Sequence, residues 1–158
     1  MNPALRIGYG WDSHEFKPGI PLRIGGMTLP HDKGLGGHSD GDVLLHAITD
    51  ALLGAIAGPD IGSLFPPSDP QWKNADSAVF LREALQRVKA AGYELENLDS
   101  TLILTAPRIG PHADGIRKQV AELCGIPADC VGIKAKTPEG MGTHNAAIAQ
   151  VAVLLKRC

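Results

Sequence analysis

The chain has 158 residues, 44% of them hydrophobic and 20% charged, which is the profile of one globular domain and excludes a disordered, fibrous or repeat protein. A net charge of −2 without any dense Lys/Arg run excludes nucleic acid as the main partner, because duplex binding rests on a basic face that neutralises phosphates. A small anionic ligand remains compatible with that charge.

Apolar runs never reach the ~18 residues that a membrane span needs, and the N-terminus lacks a charged start followed by an apolar stretch, so neither a membrane segment nor an export signal is expected. Cys124, Cys130 and Cys158 are an odd set without C-x-x-C spacing, and they read as reduced thiols of a cytoplasmic protein. No repeat or linker divides residues 1–158, which are taken as a single domain.

Leu5 to His14 reads as a strand ending in a polar cluster, and Ile20 to Leu29, interrupted by Gly25-Gly26, as a second strand forming a hairpin with the first. The stretch from His38 to Gly58 carries Val43, Leu44, Ile48, Leu52 and Ile56 near the 3.6 period, with Ser39 as N-cap and Gly58-Pro59 as stop. Residues 59–76 are rich in Pro, Asp and Ser and too long for an ordinary connection, so a substrate loop or lid is expected there. A helix from about Asp76 to Ala91, a strand closed by Pro107, a helix from Pro111 to Cys124 and a strand at VGIKAK follow. Ala146 to Lys156 is expected to form a last helix. The resulting order predicts an α+β fold, a mixed β-sheet with helices packed on one face.

Asp12 and His14 lie two apart in an extended segment and so face one side, where a carboxylate and an imidazole can share a cation. His46, on the helix flanked by Asp42 and Asp50, is the best third ligand, and two nitrogens with one carboxylate make a catalytic rather than a structural zinc set. His38 to Asp42 at a helix start predicts an anion site, since free N–H groups and the helix dipole favour phosphate. Lys134 to Gly142 joins a strand to a polar turn whose ammonium, hydroxyl and carboxylate groups suit a diphosphate with a hard cation on Glu139.

These pieces occur together, and in order, in one family: Gly10-Trp11-Asp12-Ser13-His14, then His38 to Asp42 with His46, the run from Asp60 to Pro70, Asp99-Ser100-Thr101, Ala106-Pro107-Arg108, and Lys134 to Glu139. Over nearly its whole length the sequence resembles the methylerythritol cyclodiphosphate synthases. The resemblance implies a phosphorus-oxygen lyase of non-mevalonate isoprenoid biosynthesis. Its reaction is cyclisation of 4-diphosphocytidyl-2-C-methyl-D-erythritol 2-phosphate to 2-C-methyl-D-erythritol 2,4-cyclodiphosphate, with release of CMP.

By matching positions the resemblance assigns zinc to Asp12, His14 and His46, and Mg²⁺ or Mn²⁺ to Glu139. His38 and Thr137 become the catalytic residues that orient and polarise the reacting phosphates. Ser39, Asp60, Gly62 and Asp69 line the methylerythritol end, Ile61, Phe65 and Lys136 also bind substrate, and Ala106, Pro107 and Arg108 meet the cytidine. The family implies a homotrimer of the bacterial cytoplasm with active sites at subunit junctions.

One segment departs from the family. After its glutamate the family continues K-L-G-F-T-G-R-G-E-G, whereas this chain has Gly140-Met141-Gly142-Thr143-His144-Asn145, without the Phe and Arg. The alternative is therefore a zinc- and nucleotide-binding member with weak or altered activity, unless His144 or Lys136 substitutes for the lost charge. A more distant rival is a zinc hydrolase with Asp42 or Asp50 as general base.

Overall fold

The computed structural model describes residues 3–158. The sheet has five strands in the order β4-β1-β7-β5-β6, where β1 is Leu5–Pro18, β4 Lys33–Leu35, β5 Tyr93–Ile103, β6 Val131–Lys136 and β7 Ala146–Arg157. All pairs are antiparallel except β5 with β6, so the sheet is mixed as expected. The predicted hairpin between β1 and residues 20–29 does not form. Two short strands, β2 (Leu22–Ile24) and β3 (Met27–Leu29), pair with each other instead, around Gly25 (φ 64°) and Gly26 (φ 81°). Two successive positive φ values are what a tight two-residue hairpin demands, and glycine supplies them without steric cost.

Among the described residues four α-helices accompany the sheet: α1 (Val43–Ala55), α2 (Ile61–Leu64), α3 (Ser77–Ala90) and α4 (Ala113–Cys124). In α1 every residue but Asp50 and Gly54 is buried, so it is the central helix, and its apolar periodicity is correspondingly wide. Its N-cap is Asp42, not Ser39: Asp42 Oδ1 accepts from Leu45 N at 3.0 Å. The same carboxylate accepts from Gly25 N (2.9 Å) and Gly26 N (2.7 Å), which fastens the β2-β3 turn over the start of α1. At that helix start the Leu45 N–H is thereby taken by the Asp42 side chain rather than left free for an anion. α3 begins at its N-cap Asp76, and α4 ends at Gly125 in the left-handed conformation (φ 69°).

The segment expected to form the last helix is strand β7, the middle of the sheet. Ala147, Ala149, Val151, Val153 and Leu155 alternate into the core, while the intervening residues lie on the opposite face. Because both faces carry apolar residues, the two-residue period is hidden and the many alanines and leucines read as helix. Pairing with β1 and β5 along nearly its full length overrides that propensity.

Small residues set the spacing between layers. A Cβ on Gly8 would lie 1.9 Å from the Ala51 carbonyl oxygen, and one on Gly10 1.9 Å from that of Ala47, so α1 rests directly on the β1 backbone. The other face of β1 presents Ile7, Tyr9 and Trp11 as exposed apolar side chains. No helix among the described residues is long and apolar enough to cross a membrane.

Candidate metal centre and substrate cavity

Even-numbered residues of β1 face the helices, which places Asp12 and His14 beside His46 at the end of the first turn of α1. Close contact at Gly10 and Ala47 brings the helix within reach. His46 Nδ1 lies 3.1 Å from Asp12 Oδ2, His14 Nε2 lies 3.0 Å from the same oxygen, and the two nitrogens are 3.0 Å apart. Ligands held about 2.0–2.1 Å from a tetrahedral ion stand roughly 3.3 Å apart, so this triangle fits a zinc-sized cation with its fourth position open toward the cavity. Burial pulls the Asp12 carboxyl upward, but the hydrogen bonds and charges of His14 and His46 outweigh it and hold it down to about 2. The carboxylate therefore stays an anion over the whole neutral range.

Beside the triangle is a cavity of about 190 Å³. His38 and Ser39 line its polar side, and Ile61, Gly62, Phe65 and Phe80 form an apolar wall. Phe65 packs on Phe80 (4.5 Å between ring centroids) and edge-on to Trp72 (5.1 Å), so residues 59–76 fold over the cavity around an aromatic cluster. His38 clips this loop down: its Nε2–H donates to the Asp69 carbonyl (3.1 Å) and its own carbonyl accepts from Asn74 N (2.8 Å). Asp60 caps α2 through Ser63 N, and Asp69 caps the turn at Gln71 N. Asp60 lies outside the cavity, in a shallow depression with Tyr9, Trp11 and Asp50.

The carboxylates beside the metal triangle are occupied. Burial pushes the Asp42 carboxyl up against the pull of three backbone amides, those of Leu45, Gly26 and Gly25, from which it accepts hydrogen bonds. Burial likewise raises Asp50, with Asp60 and Asp12 adding to it, and Asp50 Oδ1 accepts from Ile61 N at 2.7 Å.

The remaining residues singled out in the sequence lie elsewhere. Pro107, Arg108, Lys136 and Thr137 line a second cavity of about 360 Å³ between the β5 and β6 ends, with Ala106 beside it in sequence. Thr137 donates its hydroxyl to the exposed carboxylate of Glu139, which stands in a left-handed turn (φ 48°). His14 and Lys136 occupy the same end of the sheet but are three strands apart, about 14 Å by strand spacing. One copy of the chain thus holds the metal triangle and the Thr137 cavity as separate places.

Ser77, Trp72 and Phe80 also belong to this site, beyond the residues singled out in the sequence. Aromatics make up only 4% of the chain, and the gathering of three within residues 65–80 was an available signal. Ser77 gave none, since a serine following an N-cap aspartate looks like an ordinary helix start.

Residues 5–156 match the YgbB family. A 2-C-methyl-D-erythritol 2,4-cyclodiphosphate synthase from Koribacter versatilis (strain Ellin345) is 61% identical over 153 residues, covering 97% of this chain and 99% of that protein. The chloroplastic 2-C-methyl-D-erythritol 2,4-cyclodiphosphate synthase of Oryza sativa subsp. japonica is 52% identical over 160 residues, covering 98% and 72%. A solved 2C-methyl-D-erythritol-2,4-cyclodiphosphate synthase in a CDP-bound form is similar with a TM-score of 0.90 and 43% identity, covering 96% of this chain and all of that one.

Proposed function

The chain belongs to the YgbB family, and from that membership we infer an enzyme that cyclises 4-diphosphocytidyl-2-C-methyl-D-erythritol 2-phosphate. It is a lyase of isoprenoid biosynthesis by the non-mevalonate route. An oxygen of the substrate's 2-phosphate bonds to the phosphorus carried on the erythritol 4-oxygen. The bond from that same phosphorus to the bridging anhydride oxygen breaks, and CMP departs with the bridging oxygen and the electron pair. The nucleophile belongs to the substrate, so the protein has to position and neutralise rather than form a covalent intermediate.

The observation that carries this reading is the convergence of Asp12, His14 and His46 to 3.0–3.1 Å beside a cavity lined by His38 and Ser39. These three residues would hold Zn²⁺, and Glu139 would hold Mg²⁺ or Mn²⁺. Once bound, such ions neutralise the diphosphate and make its phosphorus more electrophilic. His38, fixed by the Asp69 carbonyl, orients the phosphate next to the triangle, and Ser39 offers a hydroxyl there. Ile61, Gly62 and Phe65 enclose the methylerythritol end, and the backbone around Asp60 and Asp69 shapes that wall. Thr137 is the second catalytic residue, polarising the phosphate on the nucleotide side. Ala106, Pro107 and Arg108 receive the cytidine, and Lys136 in the same cavity meets the phosphate beside it.

A homotrimer accounts for the separation of the two cavities, because a neighbouring copy can bring its Thr137 cavity against the metal triangle. The exposed Ile7, Tyr9 and Trp11 on the uncovered sheet face support such an assembly. Residues 1–158 act as one domain, and the free thiols Cys124, Cys130 and Cys158 fit a reducing bacterial cytoplasm.

The test is ³¹P NMR of the protein with this substrate, Zn²⁺ and Mg²⁺, alongside Asp12→Ala. The expected result is a cyclic diphosphate signal with CMP, lost in the variant. A hydrolysed product would overturn cyclisation in favour of a zinc hydrolase, and bound but intact substrate would favour a nucleotide-binding member altered at residues 140–145.

A further inference from the structure

We propose that Ser77 and Asp40 are positioning residues that fix the ring of His46 with its Nδ1 lone pair turned to the metal centre. The proposal rests on the reading of Asp12, His14 and His46 as a metal site, and it concerns the opposite edge of the His46 ring. Nε2 lies 2.8 Å from Ser77 Oγ and 3.1 Å from Ser39 Oγ. Ser77 is fully buried, and its hydroxyl donates to Asp40 Oδ1.

The direction of each bond follows from Asp40. Its Oδ1 also accepts from Asp42 N at 3.0 Å, and its Oδ2 from Ser77 N at 3.0 Å. The Arg23 guanidinium stands 3.9 Å from Oδ2 and reaches toward Asp76 at 4.0 Å, with a buried Nε that has no other partner. A carboxylate surrounded by donors can only accept, so the Ser77 proton must point to Asp40. The Ser77 oxygen is then an acceptor toward His46, which must supply Nε2–H. With the proton held there, Nδ1 of the neutral ring carries the lone pair that a cation requires.

The chain Arg23, Asp40, Ser77, His46 thus runs from β2 through the start of α3 to α1, three elements that meet behind the metal triangle. It also frees the Ser39 hydroxyl proton: facing an Nε2–H, that oxygen accepts, and its hydrogen turns toward the cavity.

Zinc affinity of the metal-free protein, measured by chelator competition, tests the proposal. Ser77→Ala keeps the Asp76 cap and the Ser77 backbone bond to Asp40, and it is expected to weaken zinc binding about tenfold with the metal-free Tm within a few degrees of wild type. Removing both acceptors in S39A/S77A should approach a hundredfold. In zinc-loaded wild type the His46 Hε2 proton should be a downfield, exchange-protected signal that is lost in S77A. Wild type that binds no zinc would overturn the metal reading and the proposal with it. Wild type that binds zinc, with S77A binding equally well and the Hε2 signal unmoved, would overturn the proposal alone.

Discussion

Gly10 on β1 and Ala47 on α1 are in direct backbone contact: a Cβ on the glycine would stand 1.9 Å from the Ala47 carbonyl oxygen and 2.8 Å from Ala51 N. His46 precedes that alanine and Asp12 follows that glycine by two, so the packing distance of the two elements is also the size of the metal triangle. Gly10→Ala must therefore push α1 off the sheet. The expected cost is about 3 kcal/mol or more, at the upper end of overpacking effects. Zinc affinity should fall together with Tm, read by thermal denaturation with and without the ion. A variant of wild-type stability that binds zinc normally would refute the link.

Removing a ligand tests the triangle without disturbing that contact. His46→Ala and Asp12→Ala should each lower zinc affinity by more than about a hundredfold, beyond what an outlying hydrogen-bond partner contributes. Dialysis against a chelator should abolish turnover in the wild type, and added Zn²⁺ should restore it. Zinc should also raise the Tm of the wild type and leave both variants unmoved, since a ligand that binds only the folded state stabilises it by mass action.

Features of this fold are legible in the sequence where their signal is local. Asp12, His14 and His46 were legible because a two-residue spacing on a strand and a histidine on a periodic helix each define a face. The N-cap of α1 was misplaced at Ser39, because the residue that settles it, Asp42, is selected by Gly25 and Gly26, which are distant in sequence. β7 reads as a helix for a similar reason: only its neighbours on both sides show that Ala147 and Ala149 point into a core rather than along a helix. The separation of His38 from Thr137 follows from strand order, which no motif encodes.

The aromatic cluster over the cavity predicts a loop that reports on binding. Phe80 is buried between His46 and Phe65, with ring centroids 6.0 Å and 4.5 Å away. Phe80→Ala should destabilise the protein by about 3 kcal/mol and raise KM, because the lost ring leaves a hole beneath the wall. Trp11 lies on the far face of the sheet, so Trp11→Phe leaves Trp72 as the one indole, and its fluorescence should change on adding substrate. No change would mean that residues 59–76 are fixed and do not close.

The three thiols should separate by reactivity. Burial pushes Cys124 up to about 12, while Cys158 is exposed. At pH 8.5 a disulfide reagent should consume Cys158 first and reach Cys124 only on unfolding. The linkage has a definite sign: a thiol whose folded pKa lies above its unfolded value of 9.0 keeps its proton in the folded state, so its contribution is full below pH 9.0 and declines as pH rises toward 12. Cys124→Ala should therefore flatten the alkaline limb of a stability profile. An unchanged limb would assign that limb to other groups.

The divergent turn after Glu139 bears on which cation meets the nucleotide. Lys136 lines the Thr137 cavity, at the strand end where Leu104 N donates to the Lys136 carbonyl at 3.1 Å. His144 is exposed and lines neither that cavity nor the one beside the metal triangle. Of the two residues that could replace the family's arginine, geometry favours the lysine. Lys136→Ala should raise KM about tenfold or more with a smaller change in kcat, the size of a hydrogen bond to a charged phosphate. His144→Ala should leave KM within twofold. A reversed result would place the 140–145 turn over the nucleotide in the assembled enzyme and make His144 the phosphate contact.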